Sequence, residues 1–297
     1  MILASFMGNF ACIVFLLIRC KMRKYIRFAD INKKVLKECI RYSLPLIPNQ
    51  LSWWILNASD RVIVQFFIGV SGNGLMAVAN KFSNVYLQLT NVFNISWTES
   101  AATHIKDEDS NEFFHKIVNT SISLFLCICF GIIACMPFVF SIMVDYSYME
   151  AYNLIPLFLI AAFFNAIVGI YGVIYVAYKD TVEIMKTAMM SAAINVVSHL
   201  ILVKFCGLYA AAISSMLGFG YMSVYRYFHS RKYLTVKVKK STFLLGMVLM
   251  LVTLPTYYVD DLWLHIISLF FAIMISFWMN KEVIINLTSS VLNKRKL

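Results

Sequence analysis

Two cations stand inside long apolar stretches: Arg61 within 44–69 and Lys81 within 74–98. Placing either near the centre of a membrane helix costs roughly 2.5–3.5 kcal/mol on insertion scales. A guanidinium meets phosphate through a two-pronged fork and an ammonium acts as a point charge, so the pair suits an anionic ligand. Amides accompany both. Gln50, Trp54, Asn57, Arg61 and Gln65 recur at the helical period and form one stripe. Lys81, Asn84, Gln88 and Asn91 form a second, at steps of three, four and three. A tight turn centred near residues 71–72 is predicted to join the two helices, with Arg61 and Lys81 each about ten residues from it. In an antiparallel hairpin this puts the cations at one depth, roughly 7–8 Å outward of the midplane. Asp60 is expected to neutralise one of them. Two readings follow: a water-filled cavity that receives an anion, or a buried pair in which Asp60 ties Arg61 while Lys81 snorkels outward.

Further polar groups lie along other apolar runs. Thr187, Ser191, Asn195 and Ser198, with His199, stripe the run 186–203 and read as cavity lining or as hydrogen bonds between helices. His199, with this polar company, is a candidate for proton coupling or gating. Glu99 reads as a rim charge or gate partner, and Trp97 as an anchor at the membrane interface. Ala210, Ser214 and Gly218 stack as small-xxx-small, a pattern that lets two helices approach closely. The seven cysteines match no zinc or disulfide spacing, and no metal or cofactor is expected. Four Asn-x-Ser/Thr triplets, including that at Asn119, fall in spans or on the inner side and imply no glycosylation.

The elements that must carry these residues follow from composition. Of 297 residues 61% are hydrophobic and 14% charged, against about half and a quarter in soluble domains. Lipid is therefore the expected solvent. A span needs roughly 20 apolar residues. Nine runs qualify: 2–18, 44–69, 74–98, 118–142, 151–177, 186–203, 207–228, 242–258 and 262–279. They do not alternate as barrel strands would, so the fold class is all-α, a polytopic helix bundle of about nine transmembrane helices. The net charge of +11 does not indicate nucleic acid, because of where the charges lie. If 19–41 is cytoplasmic, strict alternation puts 23 of the 26 basic residues on that side; Arg61 and Lys81 lie in spans, leaving Lys204 outside. The expected topology is N-terminus out, C-terminus in. Residues 1–19 lack a basic leader and a cleavage motif, so they read as a retained helix rather than a signal peptide. Between 19 and 41, Ile31, Val35, Leu36, Cys39 and Ile40 recur at helical spacing behind Asp30, a candidate N-cap, with lysines opposite. This predicts a helix lying on the anionic leaflet, or else a solvated linker.

The run from Ser43-Leu-Pro-Leu-Ile-Pro-Asn-Gln through Asn57-Ala-Ser-Asp-Arg61 resembles the Wzx-type polysaccharide repeat-unit flippases of the multidrug/oligosaccharidyl-lipid/polysaccharide exporter superfamily. The resemblance continues through Phe67-Ile-Gly-Val-Ser-Gly-Asn-Gly, Ala79-Asn-Lys81-Phe and Ser96-Trp-Thr-Glu-Ser-Ala, and persists at Ala177-Tyr-Lys-Asp-Thr181. It implies two six-helix lobes about a central cavity, with a helix pair appended. On that pattern 1–18 is the last helix of a first lobe, 19–43 a linker, 44–228 the second lobe and 229–297 the appended pair with a cytoplasmic tail. The family's cationic cavity residues map onto Arg61 and Lys81, with Asp60 beside them.

The resemblance implies a multi-pass flippase of the bacterial plasma membrane, for polyprenyl-pyrophosphate-linked oligosaccharide in capsule, O-antigen or exopolysaccharide assembly. Membrane lipids, a separately encoded N-terminal lobe and other polysaccharide-assembly proteins are its expected partners. Because most of a first lobe is absent from this sequence, a truncated reading, a non-transporting remnant and a half-transporter are all open expectations. A multidrug exporter fits poorly with excess positive charge in the pocket. A membrane polymerase would need a sizeable outer loop, and an ATP-driven pump a phosphate-binding Gly-rich loop with lysine. The chain is therefore expected not to be an enzyme.

Overall fold

Every one of the nine apolar runs forms a helix, because lipid leaves backbone groups no partner outside their own segment. The computed structural model describes residues 2–19, 32–281, 283, 285 and 289, with side chains from residue 6 onward. They fall into two units, Met1–Leu44 and Pro45–Leu297.

The first unit holds α1 (Ile2–Arg19) and α2 (Lys33–Ser43). Residues Lys33–Ser43 form a helix with a strongly amphipathic sequence. Its N-cap is Asn32, whose side chain accepts from the Lys34 N–H, and not Asp30, which lies outside the described residues.

The second unit contains α3 (Leu46–Phe67), α4 (Val70–His104), α5 (Ser110–Met143), α6 (Ile155–Ala177), α7 (Thr181–Cys206) and α8 (Tyr209–His229). Two further helices, α9 (Lys240–Tyr257) and α10 (Leu262–Met279), pack on α5 and on each other. A 3-10 segment, Tyr146–Leu154, leads into α6. The most apolar helix of the six, α6, packs against α4, α5 and α8, and α3 packs against α7. Tyr86, Phe114, Phe140, Leu159, Tyr171 and Ile174 fill the core between them. The 35 residues of α4 and 34 of α5 reach about 50 Å, well beyond a bilayer core of about 30 Å.

Among the described residues, five helical segments are long and apolar enough to cross a membrane: Ser110–Met143, Tyr146–Ala177, Thr181–Cys206, Lys240–Tyr257 and Leu262–Met279. The chain is thus a multi-pass membrane protein. Although 22, 35 and 21 residues long, α3, α4 and α8 fall below that apolarity, and polar side chains recur along each of them.

The turn between α3 and α4 lies at Ile68-Gly69, not near residues 71–72. Gly69 adopts φ 106°, which L side chains rarely tolerate. Gly72 instead sits in the first turn of α4, where a Cβ would stand 2.9 Å from Ile68 Cγ2 and 3.1 Å from Val64 and Leu208 side-chain atoms. It is a packing glycine.

Candidate functional site

The earlier turn changes the depth argument. Arg61 lies eight residues before Gly69 and Lys81 twelve after it, so the two cations are not equidistant from the turn. Both side chains are exposed, and neither has an ion-pair partner among the described residues. Gln50, Trp54, Asn57 and Gln65 share the exposed side of α3, and Asn84, Gln88 and Asn91 that of α4. The buried side of α3 carries Ser52, Leu56, Asp60 and Ile63; that of α4 carries Met76, Ala79, Ser83, Tyr86 and Thr90. The two polar stripes therefore lie on faces that the bundle leaves open. The Asn57 Nδ2 donates to the Trp53 carbonyl at 2.6 Å. Asn73 Nδ2 donates to the Arg61 carbonyl at 3.1 Å, tying the start of α4 back to α3.

Asp60 does not neutralise Arg61. Neighbouring residues on a helix point about 100° apart, so Asp60 turns inward while Arg61 stays out. Its Oδ1 meets His199 Nδ1 at 2.7 Å, and its Oδ2 accepts from Ser215 Oγ at 3.0 Å. Asn195 extends this network: its Nδ2 donates to Ser214 and Ser215 at 3.4 and 3.3 Å, and its Oδ1 accepts from Ser59 at 3.3 Å. The stripe expected on 186–203 thus joins α3, α7 and α8, with Asn195 and His199 wholly buried and Ser198 partly so. The small residues behave as their spacing implies: a Cβ on Gly218 would stand 3.0 Å from the Ser191 carbonyl oxygen.

Trp97 is not an interface anchor. It is 2% exposed, donates from Nε1 to the Ile170 carbonyl at 3.1 Å, and packs against Phe113 and Phe114. Glu99, two residues on, is exposed, and its carboxylate has no ion-pair partner among the described residues.

A second polar cluster near the ends of α6, α7 and α8 was hidden in the sequence, because Arg226 reads there as one more basic loop residue. Its guanidinium is buried, donating to Thr187 Oγ1 at 2.9 and 3.3 Å and to the Val168 carbonyl at 3.0 Å, over the Tyr175 ring. Glu183 accepts from Tyr225 at 2.6 Å and pairs with Lys186 at 3.4 Å. The Tyr-Lys-Asp turn before α7 places Lys179 at φ 60° and Asp180 at the N-cap, accepting from the Glu183 N–H at 3.2 Å. Tyr233 donates to the same carboxylate, and burial together with that bond raises its phenol well above the ordinary value. These contacts brace one end of the bundle.

A family model described as "Polysaccharide biosynthesis protein" matches residues 1–152, just over half of the chain. No curated protein matches. Among solved structures, "Lipid II flippase MurJ, inward closed conformation" is similar with a TM-score of 0.60 at 14% identity. The similarity covers 87% of this chain and 57% of that one, so the chain spans little more than half the length of the structure whose fold it shares.

Proposed function

We propose that this chain, which belongs to the polysaccharide biosynthesis protein family, carries a polyprenyl-pyrophosphate-linked oligosaccharide across the bacterial plasma membrane. The observation behind the proposal is the pair Arg61 and Lys81, exposed on the polar stripes of α3 and α4 and without an ion-pair partner among the described residues. Two charges facing hydrocarbon would be costly, so these faces line a water-filled cavity. Arg61 and Lys81 hold the pyrophosphate or acidic sugars there. Asn57, Asn84, Gln88 and Asn91 offer amides to sugar hydroxyls. Asp60 acts from behind the wall, and Glu99 and His199 are its candidate gating or coupling groups. The bilayer supplies a path for the polyprenyl tail. A fold shared with a protein named as a lipid II flippase supports a lipid-linked substrate.

An open wall is half of a cavity, so the proposal includes a facing lobe, with α3–α8 as the second lobe and α9–α10 as the appended pair. That lobe would be encoded in the same gene or in another. The crowding of basic residues on one side supports N-terminus out and C-terminus in. Carrying, not catalysis, is the activity proposed.

Native mass spectrometry of the chain in nanodiscs tests the reading. Retention of a polyprenyl-pyrophosphate oligosaccharide should fall at least about tenfold in R61A/K81A, about 1.4 kcal/mol. Equal retention by both proteins, or of an uncharged polyprenol as well as the pyrophosphate, would count against it.

A further inference from the structure

Helix α5, the start of α9 and the end of α10 enclose a cavity of about 200 Å³, lined by none of the residues of the α3 and α4 stripes. We propose that this cavity binds the headgroup of an anionic phospholipid, and that the headgroup is a glycerol. The site stands independently of the carrier reading above.

Helix length sets the depth of the cavity. With 18 residues each, α9 and α10 are about 27 Å long, close to a bilayer core of about 30 Å. Their ends therefore lie at headgroup level. The cavity joins the first turn of α9 to the last residues of α10, and Trp278, which lines it, belongs to a residue type enriched at that level. Its volume is below the roughly 300–1,000 Å³ of pockets for drug-sized ligands, so it admits a headgroup and not an oligosaccharide.

Charge in the cavity has one sign. Lys239 and Lys281 line it, both exposed and neither with an ion-pair partner among the described residues. No described acidic side chain lines it. No side chain caps α9, so the first N–H groups of that helix add partial positive charge at the same place. The Lys239 backbone is fixed there by its N–H, which donates to Asn119 Oδ1 at 2.8 Å.

Two buried atoms then specify the ligand. Ser123 and Asn280 are each 6% exposed and line the cavity, yet Ser123 Oγ and Asn280 Oδ1 meet no protein partner. A buried polar atom left unpaired is costly. The Ser123 hydroxyl can donate to a phosphate oxygen. Asn280 Oδ1 can only accept, because its Nδ2 already donates to the Ser276 carbonyl at 3.1 Å and to Cys127 Sγ at 3.3 Å. It needs a hydroxyl or an ammonium on the ligand. Phosphatidylglycerol offers the phosphate oxygen and the hydroxyl together. The ammonium of phosphatidylethanolamine would oppose the two lysines and the start of α9. Leu245 and Trp278 give the cavity an apolar side that an acyl chain covers and inorganic phosphate does not.

Native mass spectrometry of the full chain, released from nanodiscs of phosphatidylglycerol and phosphatidylcholine in equal amounts, tests the site. The wild type should retain at least about fivefold more phosphatidylglycerol than phosphatidylcholine, and K239A/K281A should lower that retention at least about tenfold. S123A keeps every charge and should lower it at least about threefold. K106A/K232A removes the same charge from the same end of the bundle, outside the cavity, and should retain as much as the wild type. Equal retention of the two lipids by the wild type, or wild-type retention in either K239A/K281A or S123A, overturns the site. An equal loss in K106A/K232A means a diffuse attraction of surface charge and overturns it too. Nanodiscs of phosphatidylcholine alone, supplied with inorganic phosphate, separate headgroup from free anion. A phosphate adduct that K239A/K281A abolishes, in a chain that retains no phosphatidylglycerol, overturns the lipid assignment.

Discussion

Gly172 on α6 and Arg226 on α8 are matched: a Cβ at residue 172 would stand 2.8 Å from the Arg226 Nη1. The missing side chain is the space in which the guanidinium reaches the Val168 carbonyl at 3.0 Å. Gly172→Ala should push that group off its acceptor and lower stability by about 2 kcal/mol, the range for hydrogen bonds to a charged group. Thermal unfolding in detergent reads the loss. Adding Arg226→Leu should recover most of it, because the clash and the stranded charge disappear together. No recovery would show that the glycine matters for another reason.

Asn119 holds the approach to α9. Its Nδ2 donates to the Lys237 carbonyl at 2.9 Å, and its Oδ1 accepts from the Lys239 N–H at 2.8 Å. Asn119→Ala strands both backbone groups, at about 1 kcal/mol or more each. Trypsin should then cut after Lys237 and Lys239 several-fold faster than in wild type, while the rest of the digestion pattern stays the same. Unchanged cleavage would mean that buried Leu234 and Val236 hold the segment alone.

Trp97→Ala should lower stability by about 3–5 kcal/mol, the cost of emptying a buried aromatic site. Trp97→Phe keeps the ring contacts with Phe113 and Phe114 and loses the Ile170 hydrogen bond, at about 1 kcal/mol. An interface anchor would give small changes for both, so unfolding of the two variants separates the roles.

The helices were legible because lipid demands long apolar runs, and all nine runs are helical, although α5 begins eight residues before its expected start and α4 ends six after its expected end. The turn after α3 was misplaced because Gly72 and Gly74 draw attention away from Gly69. Nothing in a sequence separates a glycine that turns the chain from one that lets a helix pack. The stripes on α3 and α4 were legible from period alone, and the structure leaves both exposed. Sequence alone offers Asp60 one of the two nearby cations as a partner, whereas the structure pairs it with His199, 139 residues away on α7. Periodicity orders residues around one helix but does not say which neighbour each side meets. The same gap concealed Arg226 and put Trp97 at the membrane surface.

The central claim is that the open cations on α3 and α4 receive an anionic lipid-linked oligosaccharide. Surface polysaccharide in cells whose genomic copy carries R61A/K81A tests it most directly, with membrane insertion of the variant checked by immunoblot. The account predicts at least a tenfold loss of surface polysaccharide, with lipid-linked precursor accumulating and the protein inserted at the wild-type level. Normal surface polysaccharide from the inserted variant would contradict it.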